Sequence, residues 1–215
     1  MDEIREASRT LLYLEPEPDD AFPFIIHHPF FSNNVVFDGA ELFELMDDVD
    51  RARKPYEKLI DGAKSASDIF MCICAPYKML WFSAVAPYIS DPEEYAGLLK
   101  TCWTMEEWPS RDANVPMDEM VRLFEMADRS LLVPDWFPES MRVYRGVNRG
   151  GSPYGMSWTV ARDIARWFAD RFDGDGDVYE LEVPRENVLA YIEERGENEV
   201  VVDTRGIESL VQLVC

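Results

Sequence analysis

The sequence predicts an α+β protein, with a mainly helical first part and a second part built of short strands and one long helix. Two observations predict this class. Before residue 134, apolar residues recur in several segments at the spacing of one helix face. After Pro138, short alternating runs separated by turn residues replace them. We therefore divide the chain into a mainly helical region at 1–139 and a strand-rich domain at 140–215.

Three segments of the first part have clear helix signals. Ala40–Arg53 carries an apolar stripe on one face, and Pro116–Asp128 has the same spacing. Asp91 is a good N-cap for a helix whose first position is Pro92 and which runs to Trp108. These segments predict a mainly helical region, and its role, whether to bind a target or to support the strand-rich domain, stays open.

The second part combines short strands with one early helix. The strands are predicted at Met141–Val147, Val178–Val183, Val188–Ile192, Val200–Asp203 and Leu210–Val214. An apolar stripe predicts a helix over Val160–Phe172, with Thr159 placed to cap it. The pattern is that of a compact sheet with one main helix.

The amino-acid composition limits the kinds of molecule that the protein can bind. The 215 residues are 47% hydrophobic, enough for a packed core, but 42 acidic against 21 basic residues leave a net charge of -21. Such a surface repels phosphate backbones and anionic membranes, so we expect neither nucleic acid nor membrane as a direct partner. Residues 1–140 hold 28 acidic and 12 basic residues. This excess fits a solvated surface, an adaptation to high salt, or a face that binds a basic partner.

Cysteine and histidine usage predicts no metal and no disulfide framework. Four cysteines are too few for such a framework at this length, and Cys72 and Cys74 lie in an apolar run that predicts buried thiols. With two histidines in the chain, zinc has few candidate ligands.

The apolar segment Ile69–Ile89 is interrupted by Lys78 and two prolines, which favours a buried element over a membrane span. No secretory signal is visible, so we expect a cytoplasmic protein.

Three short motifs of the second part carry chemistry. Arg145-Gly146 ends a predicted strand, and Ser157-Trp158-Thr159 immediately precedes the predicted helix. Glu197-Asn198-Glu199 is a turn that runs directly into a strand. Each motif alone is common, as a strand end, a helix cap and a solvated loop respectively. Their order, and the element on which each one falls, make them informative together.

This order resembles the arginine–serine–glutamate class of ADP-ribosyltransferases, the cholera-toxin-like branch. The resemblance covers about Arg142–Asp203, and no residue before 140 contributes to it. It implies an ADP-ribosyltransferase-like sheet core at 140–215, with NAD as substrate and no metal. It also implies transfer of ADP-ribose to a protein acceptor, in the manner of a phage or bacterial effector that acts on a host protein.

The resemblance assigns a role to each charged residue. Arg145 would bind the pyrophosphate of NAD, and Glu199 would stabilise the oxocarbenium-like ribose while Ser157 holds that carboxylate. Glu197 would select and activate the acceptor, with arginine favoured. Gly146, Trp158 and Thr159 complete the expected NAD-binding set, although strand alternation favours core packing for Trp158, and helix capping for Thr159 competes with ligand binding.

The motifs also depart from the family pattern. The middle motif reads Ser-Trp-Thr instead of Ser-Thr-Ser, and Arg145 and Ser157 are separated by one tight turn. Two other functions stay open on the sequence. One is an NAD glycohydrolase, in which water is the acceptor; the other is an acidic binding protein that inhibits a basic nucleic-acid-handling partner.

Overall fold

The computed structural model describes residues 1–18, 26–31, 42–105, 115–171, 174–193 and 196–214. Within these residues the chain forms two compact units, Met1–Leu123 and Phe124–Cys215. The protein combines helices with a six-stranded antiparallel sheet, which confirms the α+β class. None of the helices in the described part of the chain is long and apolar enough to cross a bilayer.

The first unit is built of helices and one short hairpin. Its helices are α1 (Asp2–Leu12), α2 (Leu42–Gly62), α3 (Ala66–Phe70), α4 (Lys78–Val85), α5 (Pro92–Met105) and the larger part of α6 (Met117–Met126). Its hairpin pairs β1 (Glu17–Pro18) with β2 (Ile26–His27). The predicted helices at 40–53, 91–108 and 116–128 correspond to α2, α5 and α6, and positions 106–114 lie outside the described residues.

The core of the first unit forms around α4, which is buried along most of its length. Its Trp81 is fully buried, and the indole nitrogen donates to Ser8 Oγ of α1 at 2.9 Å, which satisfies both polar groups in an apolar setting. Phe82 packs edge-to-face on Tyr95 of α5. The predicted buried element at Ile69–Ile89 is therefore confirmed for α3 and α4.

Two details of the first unit differ from the predictions. Cys72 and Cys74 are half-buried, and the expectation that both thiols are buried was wrong. Helix α2 runs past the predicted end at Arg53 and through Pro55 to Gly62. Arg53 is buried, and its guanidinium donates to the carbonyls of Leu12 and Leu14. These tertiary contacts stabilise the helix beside Pro55, a residue that disfavours helix continuation.

The second unit contains a sheet with strand order β6-β7-β4-β3-β5-β8. The strands are β3 (Ser140–Val147), β4 (Ser157–Thr159), β5 (Asp177–Pro184), β6 (Val188–Ile192), β7 (Glu199–Val202) and β8 (Gln212–Val214). Its helices are α7 (Arg129–Leu132) and α8 (Arg162–Asp170), besides the end of α6. β6 has the predicted bounds, and β8 is shorter than predicted because a helical turn occupies Glu208–Leu210.

The second unit begins earlier than the predicted division at 139/140. The segment before β3 packs with the sheet: Arg129 donates to the carbonyl of Arg185, and Arg185 donates to that of Pro134. Trp136 stands edge-on to Tyr191 of β6 at 5.0 Å between ring centroids. These contacts join residues about 50 positions apart, so the periodicity of apolar residues in the sequence could not predict them.

Helix α8 packs on one face of the sheet. Its Ala165 and Ala169 are buried with Val178 of β5, and the partly buried Tyr144 and Val214 pack against them. Small side chains on the helix bring its backbone close to β3. This packing fixes the ends of β3 and β4, where two of the three motifs lie.

Candidate functional site

The three sequence motifs lie on neighbouring strands. Arg145 is on β3, Ser157 begins β4 and Glu199 begins β7. In the sheet these strands stand in the order β7-β4-β3. Antiparallel pairing therefore brings residues from distant parts of the chain to one region of the sheet.

Ser157 contacts both charged residues of the predicted site. Its hydroxyl donates to Glu199 Oε1 at 2.5 Å, and its backbone carbonyl accepts from Arg145 Nη1 at 2.7 Å. In the register, Thr159 faces Glu199 and Ser157 faces Val201, so Ser157 and Glu199 are diagonal neighbours. The register thus produces the Ser157–Glu199 contact.

The two charges differ in their environment. Glu199 is 8% exposed, while Arg145 is half-buried. Burial lowers the pKa of Arg145 to about 10, and the negative charge of Glu199 partly opposes this shift. The guanidinium therefore stays cationic at neutral pH.

The segment Ser152–Gly155 forms a seat for Arg145. The guanidinium Nε makes a long contact of 3.5 Å with the carbonyl of Ser152. Gly155 lies against the other side of the guanidinium, because a Cβ at this position would stand 2.3 Å from Arg145 Nη2. The seat therefore contacts the cation through backbone atoms.

Trp158 packs in the core, as strand alternation predicts. It is 1% exposed, and its indole nitrogen donates to the carbonyl of Gly155 at 2.8 Å. Ser157, the residue before it, is exposed. The ring of Trp158 thus helps to hold Gly155 in place, and it is too buried to contact NAD.

Thr159 orders the turn that carries the glutamates. Its buried hydroxyl donates to the carbonyl of Glu197 at 2.6 Å and accepts from the amide of Ala161 at 3.1 Å. Ala161 is the N-cap of α8, so the prediction that Thr159 occupies the cap position was wrong by two residues. The hydroxyl is thus engaged both as a donor and as an acceptor by backbone groups.

Gly146 allows close packing of α8 on β3. A Cβ there would lie 1.9 Å from the carbonyl oxygen of Ala165 and 2.6 Å from the amide nitrogen of Ala169. The sequence suggested Gly146 as an NAD-binding residue. The structure shows a steric reason for glycine that needs no ligand.

The turn before β7 sets the relative position of the two glutamates. Asn198, between them, has a φ of 46°, in the left-handed region that asparagine tolerates better than most residues. Glu197 is half-buried, and its carbonyl is held by Thr159. The turn therefore presents Glu197 beside the beginning of β7, where Glu199 lies.

Sequence reasoning missed the residues that build the arginine seat. Gly155 and Ser152 belong to no motif and resemble ordinary turn residues, and Thr204 follows β7 as one residue of a predicted turn. Thr204 is 1% exposed, and its hydroxyl donates to the carbonyl of Tyr154 at 2.7 Å.

Among the described residues, no group of three or more histidine, cysteine, aspartate or glutamate side chains is placed to hold a metal ion.

Comparisons with protein-family models, with curated proteins and with solved structures gave no significant match. The resemblance to ADP-ribosyltransferases therefore depends on the sequence motifs alone.

Proposed function

We propose that the protein is an NAD-dependent mono-ADP-ribosyltransferase that modifies a protein acceptor, with arginine the favoured side chain. One observation carries the proposal: Ser157 joins a half-buried arginine and a buried glutamate that come from separate strands. A structural role alone gives little reason to place opposite charges around one exposed serine. A dinucleotide with an anionic pyrophosphate and a ribose that becomes cationic gives a reason for each charge.

Arg145 and Glu199 would act on different parts of NAD. The guanidinium of Arg145 would bind the pyrophosphate, since its remaining N–H donors match pairs of phosphate oxygens. The carboxylate of Glu199, oriented by Ser157, would stabilise positive charge at the ribose as the glycosidic bond breaks. Orienting the carboxylate beforehand removes the cost of turning it during the reaction.

The transfer step balances without an added cofactor. The bond between ribose C1′ and the nicotinamide nitrogen breaks, and its electron pair leaves with nicotinamide. A nitrogen of the acceptor guanidinium forms the new bond to C1′ and loses one proton, which the carboxylate of Glu197 would accept. Glu197 would pair with the incoming guanidinium and draw this nitrogen toward C1′. The acidic excess of residues 1–140 favours a basic acceptor protein.

Labelled NAD incubated with a cell lysate tests the proposal. We expect label on a protein with wild type, and a loss of NAD turnover of about 100-fold or more with Glu199→Gln, because one oriented charge stabilises the transition state. Glu208→Gln is the matched control, since Glu208 is an exposed glutamate in the same unit. This variant should behave as wild type.

The products separate the alternatives. Free ADP-ribose without labelled protein would mean that water is the acceptor, as in an NAD glycohydrolase. If Glu197→Gln loses labelling but still cleaves NAD, the acceptor role of Glu197 is supported. If wild type neither binds nor consumes NAD, the enzymatic proposal fails and the acidic binding protein becomes the better hypothesis.

A further inference from the structure

We propose that Thr204 is a positioning residue for NAD binding, which acts by fixing the Ser152–Gly155 seat of Arg145; this inference rests on the proposed function. Thr204 is 1% exposed and lies in the segment after β7. Its hydroxyl donates to the carbonyl of Tyr154, inside the seat, at 2.7 Å. This bond joins residues that are 50 positions apart in the chain.

The seat depends on contacts outside its own backbone. Within it, the amide of Tyr154 donates to Ser152 Oγ at 3.2 Å, which is a local turn contact. Two further bonds connect the seat and the residue after it to the end of β7: Thr204 to Tyr154, and the amide of Val202 to the carbonyl of Met156 at 2.8 Å. Because the seat holds Arg145 through backbone atoms, a shift of the seat moves the guanidinium.

The segment around Thr204 is itself firmly held. Asp203 accepts two bonds of 2.8 Å from the guanidinium of Arg205, and its amide donates to the carbonyl of Asn187 at 2.9 Å. The carbonyl of Thr204 accepts from the amide of Ile207. Thr204 therefore presents its hydroxyl from a fixed backbone.

Strand β7 thus connects the two charges of the site. It begins at Glu199, and the residues that follow its other end anchor the seat of Arg145. Ser157 sets the spacing between the carboxylate and the guanidinium because it contacts both, and Thr204 helps to keep this spacing fixed by holding the seat. NAD requires such a fixed spacing, because its pyrophosphate and its nicotinamide ribose are joined covalently.

The test uses Thr204→Val, which keeps the shape of the side chain and removes the donor. Arg145 would bind the pyrophosphate equally before and during bond breaking, so its displacement raises KM and leaves kcat nearly unchanged. We expect KM and Kd for NAD to rise about 5-fold, with kcat within about twofold of wild type. Thr204→Ser restores the hydroxyl and should restore NAD affinity.

Two further variants complete the design. Thr101→Val is the matched control, because its hydroxyl also donates to a backbone carbonyl at 2.7 Å but lies in α5. Gly155→Ala disturbs the seat from the side of the arginine, where its Cβ would meet Arg145 Nη2, and should also raise KM. If Thr204→Val does not fold, Gly155→Ala and Thr204→Ser decide the question.

The outcomes distinguish this inference from the proposed function. A lower melting temperature for Thr204→Val with unchanged KM would show a purely structural role and overturn the inference. Failure of Thr204→Ser to restore affinity, or an unchanged KM for Gly155→Ala, would also overturn it. In each of these cases Glu199-dependent NAD turnover by wild type would leave the proposed function standing. A wild type that binds no NAD would overturn both.

Discussion

Ser157 contacts both charged residues of the site, and only its contact with Glu199 depends on its side chain. The carbonyl that accepts from Arg145 is present in every residue, whereas the hydroxyl that donates to Glu199 belongs to serine. An alanine at this position therefore removes the orientation of the carboxylate and keeps the contact to the guanidinium. The two functions proposed for the site can be separated by this one change.

We expect Ser157→Ala to lower kcat about 10- to 100-fold, because a hydrogen bond to a charged group contributes roughly 1.5–3 kcal/mol. KM for NAD should change little, since the Arg145 contact persists. Steady-state NAD consumption measures both constants. Ser209→Ala, at an exposed serine of the same unit, serves as the control. A raised KM with unchanged kcat would contradict the role given to the hydroxyl.

At the scale of residues, the sequence predicted the three polar side chains that meet at the site. The motifs predicted Arg145, Ser157 and Glu199 because each lies in or directly beside a strand that local patterns identify. Alternation also predicted that Trp158 faces the core. The local pattern carries no information on Gly155 and Thr204, since their roles come from contacts across 10 and 50 positions of the chain.

At the scale of elements, the close approach of α8 to the sheet depends on two glycines. A Cβ at Gly146 would stand 1.9 Å from the carbonyl oxygen of Ala165, and a Cβ at Gly176 would stand 2.0 Å from that of Ala169. At both positions the near atoms are backbone atoms, which cannot turn aside as a side chain can; they belong to α8 and, at Gly176, also to Val147 of β3. Both glycines are therefore required by packing.

Gly146→Ala should destabilise the protein by about 3 kcal/mol or more, because either the helix or the strand must move to admit the methyl group. Gly97→Ala is the contrasting change. Gly97 lies within α5, and a methyl group added there would meet no atom within 4 Å, so alanine should stabilise by about 0.5–1 kcal/mol. Urea unfolding of both variants measures the difference. Equal effects of the two changes would show that α8 does not pack rigidly on β3.

The predicted ends of helices and strands agree with the structure where residues close in sequence determine them. The side chain of Asp91 accepts from the amide of Glu93 at 3.0 Å, which confirms the predicted start of α5. The short strand β6 has the predicted bounds because it is a continuous apolar run. Prediction failed where distant contacts decided, as in the continuation of α2 past Pro55 and in the packing of the segment before β3 on the sheet.

At the scale of the whole molecule, pH acts on stability in two opposite directions. The net charge of -21 repels itself, so protonation of carboxylates at lower pH relieves repulsion and favours the folded state. His28 acts the other way. It is 1% exposed and stacks on Phe31, and burial together with the positive charge of Arg53 lowers its pKa to about 4.

His28→Asn isolates the second effect. The folded-state pKa of His28 is about 4, below the ordinary value of 6.5, so between these values the unfolded chain binds a proton that the folded chain does not. The contribution of His28 to stability is therefore present above pH 6.5 and is lost as the pH falls toward 4. Asparagine can replace the Nδ1 atom that accepts from the amide of Phe30, and it does not titrate.

From pH 7 to pH 5, wild type should lose about 2 kcal/mol of unfolding free energy relative to His28→Asn. Urea unfolding at both pH values gives this difference, and the repulsion among the acidic residues cancels because it is common to both proteins. The loss of ring stacking lowers the stability of His28→Asn at every pH, which shifts its curve without changing the slope. Parallel curves for the two proteins would show that His28 is protonated as readily in the folded state as in the unfolded one.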